Sequence, residues 1–343
     1  MLLFQLPEDV LYHILSYLDC KTLSRLSQVS KVICHIVSRD VVWKNIAKGL
    51  LNTGITRYWT DIYPHILLKD RVKTAQNWCD GVCKRSTPLK WKTKLLPWIQ
   101  LDGDTLFLSQ AAEIRSYPLR HGCKKIRYNP VKVYSGHQAD VCRFVLTDSH
   151  LISGGSDGKI LVHNRRSDST MKLFGHNQEV NCIDSRNELI VSGSRDQTIK
   201  IWTLASSCPR DLIPLYDRVW SVVINPTLSS FVTGTACCEN LSPLRIWDVE
   251  RKSVMEWEEP HDSALYCMQT DGNHMIASGS SYYGVVRLWD KRLTECLQFF
   301  QLSSDLVSSP VYCLRFSSSH LYAALATALH SLDFRHNLNI TIR

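Results

Sequence analysis

The chain has 343 residues, 44% apolar and 21% charged, and a formal net charge of +8. These proportions exclude a disordered polyelectrolyte, no run approaches the roughly 18 apolar residues of a spanning helix, and the length suits two units better than one core. Thirteen cysteines make an odd set behind a start, MLLFQLPEDV, with neither a basic leader nor a small-residue cleavage site, so reduced thiols in a cytosolic or nuclear protein are expected.

The first predicted element is helical. In LPEDVLYHILSYLD, Pro7 suits a first turn, Glu8 and Asp9 favour its positive end, and Val10, Leu11, Ile14, Leu15 and Leu18 share one face. Asp19 is placed to cap a second helix bearing Leu23, Leu26 and Val29. Asp40 is placed to cap a third with Val41, Val42, Trp43 and Ile46, ending at Gly49. So short a helical unit buries little core alone and is expected to lean on a partner. The wording L-P-E-D-V-L-x-x-I-L-S-Y-L-D, then L-S-x-L-S-Q-V-S-K and V-W-K, resembles the F-box. The resemblance implies docking on the small Skp adaptor of Skp-cullin-F-box ubiquitin ligases through Leu6, Pro7, Val10, Leu11, Ile14, Leu18, Leu23, Leu26 and Val29. The tryptophan common midway in that family is absent, with Val32-Ile33-Cys34 in its neighbourhood.

Residues 50–98 read as a basic, partly helical connector. Between 65 and 98, eight Lys or Arg face only Asp70 and Asp80, a surplus that fits a solvated face better than a nucleic-acid surface. Cys79 and Cys83 lack a second pair at ligand spacing, so no metal or other cofactor is assigned.

From residue 99 onward the chain repeats. Gly136-His137 is followed by Ser153, Asp157 and His163, and Gly175-His176 by Ser192, Asp196 and Trp202, at identical offsets; looser copies end at Trp247-Asp248, Trp289-Asp290 and Leu332-Asp333, with an early one at Ser116-Tyr117. The terminal positions lie 47, 39, 45, 42 and 43 apart, a period that resembles WD-repeat propellers. Each copy holds short alternating runs divided by turn residues, so four-stranded blades packed in a ring are expected, six of them legible. A Ser–His–Asp set that recurs is a hydrogen-bonded brace, because a nucleophilic site is needed once, beside an oxyanion hole. Cys142, Cys182, Cys267 and Cys313 close similar words (DVC, EVNC, LYC, VYC) and read as small apolar residues at one repeated strand position.

The expected architecture is therefore an all-α F-box at 1–49, the connector at 50–98 and an all-β propeller at 99–343. That order, with runs such as KDRVKTAQNW and SSYYGVVRLWD, resembles the F-box/WD-repeat substrate receptors of ubiquitin ligases. It implies a non-catalytic subunit that holds the adaptor, and through it a cullin scaffold, and presents a protein target. Against that family, one repeat is missing between Asp248 and Ser253 and the ending FRHNLNITIR differs, which leaves open an incomplete seven-bladed ring. In resembling receptors, arginines near the channel bind phosphorylated peptides; the matching candidates are Arg195 and Arg218, on a rim also holding Asp140 and Glu179. A WD-repeat scaffold outside any ligase is the alternative, and a nucleic-acid binder using the connector is a weaker one.

Overall fold

In the computed structural model, residues 6–56, 60–90, 98–118, 129–238, 242–252, 254–256, 263–293, 296–303 and 309–335 are described. Five helices come first: α1 (Glu8–Leu15), α2 (Cys20–Leu26), α3 (Lys31–Val37), α4 (Asp40–Gly49) and α5 (Leu68–Asp80). Asp19 caps α2 by accepting the Thr22 N–H at 3.0 Å. The helix α3, not foreseen from the sequence, is capped in the same way by Ser30, which accepts the Ile33 N–H at 3.2 Å. Asp40 does not cap its own helix: it is the first residue of α4, and its carboxylate accepts the Leu68 N–H that opens α5, at 2.9 Å. Leu15, Leu23, Ile33, Val37, Val42, Trp43 and Ala47 form the helical core, and Leu68 and Val72 of α5 complete it. A residue pair from the connector thus supplies the apolar area that the short head lacks.

The remainder is a ring of six four-stranded antiparallel sheets. Blade 1 holds Ile99–Asp102, Thr105–Gln110, Glu113–Pro118 and Lys132–Tyr134; blade 2 holds Val141–Leu146, His150–Gly155, Ile160–Asn164 and Thr170–Leu173. Blade 3 runs Val180–Arg186, Leu189–Ser194, Thr198–Thr203 and Asp211–Pro214, and blade 4 runs Val219–Ile224, Ser230–Thr235, Leu244–Asp248 and Val254–Glu256. Blade 5 comprises Leu265–Thr270, Met275–Ser280, Val285–Asp290 and Cys296–Gln301. Among the described residues blade 6 has three strands of its own, Cys313–Phe316, His320–Ala324 and Ala328–Asp333. Its fourth is Lys84–Lys90, from the segment read as connector, which pairs antiparallel with Ala328–Asp333. The ring is closed by joining chain from before the first blade to the last.

Inner strands interlock from blade to blade. Asn181 Nδ2 donates to the Val219 carbonyl at 3.0 Å and Ser221 Oγ to the Leu265 carbonyl at 2.8 Å. Blades 4 and 5 therefore pack directly across the place where the repeat was expected to be missing. Cys182 and Cys267 do share one position, opposite Gly193 and Gly279, whose missing side chains make room for the sulfur. Burial pushes both thiols up to about 12, which makes them apolar fillers. Cys142 departs from that reading: the blade 2 residue opposite the equivalent glycine, Gly154, is Arg143.

Head and ring are bolted together by α5. The Trp78 indole is fully buried, stacks on Phe334 with centroids 3.6 Å apart and planes at 15°, and donates from Nε1 to the Ser318 carbonyl at 3.0 Å. Around it Asn77 Nδ2 donates to the Phe334 carbonyl (2.6 Å), Gln298 Nε2 to the Cys79 carbonyl (2.8 Å) and Asn52 Nδ2 to the Ser317 carbonyl (2.8 Å). Further out, Arg71 of α5 is buried and bound to both oxygens of Asp61 at 2.7 Å, so one of the connector's basic residues faces inward. That guanidinium holds the Asp61 carboxyl below its ordinary range. Lys92 and Lys94 lie outside the described residues, as does the ending beyond Arg335.

Candidate binding surfaces

The repeated Ser–His–Asp sets are built as braces. In blade 3, Trp202 Nε1 donates to Ser192 Oγ at 2.9 Å, Ser192 Oγ lies 2.8 Å from His176 Nε2, and His176 Nδ1 lies 2.9 Å from Asp196. Burial works against the charge on Asp196, but His176, the Thr198 hydroxyl and the Asn177 N–H outweigh it and hold that carboxyl well below the usual range. Ser192 is wholly buried and already accepts the indole, so no substrate carbonyl can reach it. Blade 2 repeats the arrangement with His137 Nδ1 3.0 Å from Asp157 and His137 Nε2 2.9 Å from Ser153. There His163 replaces tryptophan and turns instead to Thr170 Oγ1 at 2.9 Å. Blades 4 and 5 keep the indole contact, Trp247 to Thr233 and Trp289 to Ser278, each at 2.9 Å.

Buried histidines, two of them in the braces, give the ring a pH dependence. Burial lowers His163 to about 4 and also lowers His176, His274 and His330, whereas the unfolded chain protonates each near 6.5. Between pH 6.5 and 4 the unfolded state binds more protons, so stability falls as pH falls. The depressed Asp157 and Asp196 add their share only below the ordinary carboxylate range. The urea midpoint is expected to drop steadily across pH 6.5 to 4, with a shallower slope in His163→Leu; equal slopes would remove His163 from the account.

The nine positions implied for adaptor docking divide by burial. Leu11 and Leu23 are 4% and 0% exposed and belong to the interior, so they shape the surface without forming it. Pro7, Val10, Ile14 and Val29 are exposed, Val10 and Ile14 by 43% and 41%, and Leu6, Leu18 and Leu26 are half-buried. Tyr17 and Val32, which the resemblance does not place among the docking positions, are also exposed, by 76% and 61%. Val32 lies on α3, and Tyr17 in the turn that follows α1.

On the ring, the same backbone bond recurs in four blades: Ser156 N–H to Asp140, Arg195 to Glu179, Ala236 to Arg218 and Ser281 to Ala264. It sets Arg195 and Arg218 at the same end of their blades, in different circumstances. Arg195 is paired with Glu179 at 3.3 Å, while Arg218 is exposed and has no ion pair among the described residues. Two residues along from Arg218 and Ala264 stand Trp220 and Tyr266, 4.8 Å apart between centroids, and Tyr312 continues the row 6.3 Å beyond. The sequence does not display this aromatic row, because Trp220, Tyr266 and Tyr312 belong to three different blades.

A helical head with an apolar edge, fixed to a ring in which blade 3 carries a full His–Ser–Asp–Trp brace and blades 2, 4 and 5 carry parts of it, defines an F-box/WD-repeat protein. The F-box-like family profile matches residues 3–48, and that of the WD domain, G-beta repeat, matches 128–164, 167–203 and 252–290. The chain belongs to the family of F-box/WD repeat-containing protein 4: it is 47% identical to the Homo sapiens and Mus musculus members over 384 positions, covering 97% of this chain and 93% of each of those. The alignment is longer than the chain, so these relatives carry additional sequence within the matched region. The WD40 β-propeller domain of Doa1 superimposes with a TM-score of 0.58 at 20% identity, over 68% of this chain and 77% of that one, a likeness of fold.

Proposed function

We propose that the chain is the target-binding subunit of a Skp-cullin-F-box ubiquitin ligase, working in the cytosol or nucleus without chemistry of its own. The observation that carries this reading is the exposed apolar edge of Pro7, Val10, Ile14 and Val29 on a head locked to the propeller. Such a body raises the local concentration of target lysines near a ubiquitin-charged enzyme brought by other subunits. The target surface is the rim where the unpaired Arg218 adjoins the row Trp220, Tyr266 and Tyr312. That combination suits a peptide with apolar side chains next to a carboxylate or phosphate. Reconstitution with the adaptor and cullin tests both halves. The native chain is expected to enter the complex and support ubiquitin transfer to its target, and Arg218→Glu with Trp220→Ala is expected to enter equally and lose transfer. A native chain that fails to bind the adaptor overturns the first half, and undiminished transfer by the double variant overturns the second.

A further inference from the structure

Neighbouring blades are joined by shared apolar cores. Blades 1 and 2 share one built on Phe107, Ile114 and Phe144, and each later pair, up to blades 5 and 6, has its own. Between blades 6 and 1 no core spans the seam among the described residues. Strand pairing by Lys84–Lys90 brings the two ends of the ring together there, and Arg315 lies 6.0 Å from the centroid of the Trp98 ring, but apolar packing does not follow. Both walls of this seam are apolar and uncovered. On blade 1, Ile99, Leu101 and Val133 lie on the face turned away from blade 2, since Gln100, Phe107 and Ile114 take the other, and Leu101 is 64% exposed. On blade 6, Leu314, Leu321 and Ala323 pack on blade 5, which leaves Tyr322, Leu329 and Leu89 on the free face, Leu89 60% exposed. Cys267 of blade 5 is sealed, whereas Cys313, at the same place in blade 6, is half-buried. Uncovered apolar faces of this kind mark interaction surfaces.

The mammalian relatives account for the size of the opening. Ninety-seven per cent of this chain is about 333 residues, so the 384 aligned positions leave about 51 that the relatives alone fill, close to the length of one repeat. Blades 4 and 5 pack across the place in the sequence where that repeat is lost, and the ring gapes instead where its two ends meet. We infer that the seam between blades 6 and 1 is a docking cleft for a seventh blade supplied in trans: one free β-sheet of another protein, apolar on both faces. Arg315, exposed on the blade 6 wall and donating only to the adjacent Leu314 carbonyl among the described residues, favours a sheet with a carboxylate on its inner strand. A second copy of this chain does not meet the description. Blades 2 to 5 have both faces packed, and blades 1 and 6 have one free face each, whereas a sheet that fills the seam must offer two. Entry widens the seam, since sheets pack about 10 Å apart, and no apolar core among the described residues resists the widening. Burial of both walls then ties blade 6 to blade 1, so occupancy stabilises the ring.

The test uses the whole chain and, as probe, the additional repeat of the Homo sapiens relative fused to a soluble carrier. Calorimetry is expected to show binding at micromolar concentration, and the melting temperature to rise by several degrees. Alkylation of Cys313, followed by peptide mass, is expected to slow several-fold on binding, while that of the exposed Cys208, remote from the seam in blade 3, stays as it was. Leu89→Asp with Leu101→Asp, at two exposed positions, should leave the free chain melting within a degree or two of the native value and abolish both the binding and the protection of Cys313. Arg315→Glu should weaken binding several-fold. A double variant that melts many degrees lower shows a seam already shut in the free chain and overturns the inference. So does a repeat that fails to bind, or one that binds native and double variant alike. A dimer of the chain alone, dissolved by the same two substitutions, gives the cleft to a second copy and overturns it as well.

Discussion

Trp78→Ala is expected to cost about 3–5 kcal/mol of stability and to split one unfolding transition into two, read by urea titration with separate probes of helix and sheet. The indole is fully buried, so truncation leaves a cavity that Phe334, on its flat face, cannot fill without giving up its own seat. It also strands the Ser318 carbonyl, which loses the Nε1–H donor. Trp78→Phe keeps a stacked face while losing the donor and part of the ring volume, so a smaller loss of about 2–3 kcal/mol is expected there. Phe334→Ala should resemble Trp78→Ala, and the double variant should cost clearly less than the two together, because one contact is shared. A loss below about 1 kcal/mol in Trp78→Ala, with one transition retained, would show that head and ring are joined mainly elsewhere. Under the proposed function the weight of the joint is geometric: α5 would fix the span between an adaptor on the head and a target on the rim.

What the sequence disclosed tracks how local each signal is. Ser192, His176 and Asp196 could be read as a brace because repetition at fixed offsets is visible in one dimension, and the first helical face because its period is 3.6. The joint was invisible, since Trp78 meets Ser318 and Phe334 across most of the chain. The closing strand Lys84–Lys90 was hidden for a related reason: every residue in it is exposed, so it carries no alternation of apolar and polar side chains. Asp40 shows a third kind of limit. Its composition signals a cap, but in three dimensions the nearest uncapped N–H belongs to Leu68, on another helix. The word DVC points to Cys142, but the residue opposite Gly154 is Arg143, and a one-residue slip in a strand sends a side chain to the opposite face.

Val10→Asp with Ile14→Asp is expected to abolish adaptor binding in a pull-down or by calorimetry while leaving the melting temperature of the free chain within a degree or two. Both side chains are more than two-fifths exposed, so the new carboxylates stay solvated in the isolated protein and cost about 0.5 kcal/mol or less each. Against a partner the same groups are buried without a counter-charge, and a loss of several kcal/mol takes the affinity down a thousandfold or more, at about 1.4 kcal/mol per decade. Leu11→Asp provides the contrast. Leu11 is interior, so that change should melt the head before any partner is added, and its loss of binding would follow from unfolding. If the double variant binds the adaptor as the native chain does, the exposed edge of α1 is not the contact, and the propeller's cargo has no established route to a ligase. If it loses the adaptor with the fold intact, the division of the helical face into an outer row that docks and an inner row that supports becomes a measured property of this chain.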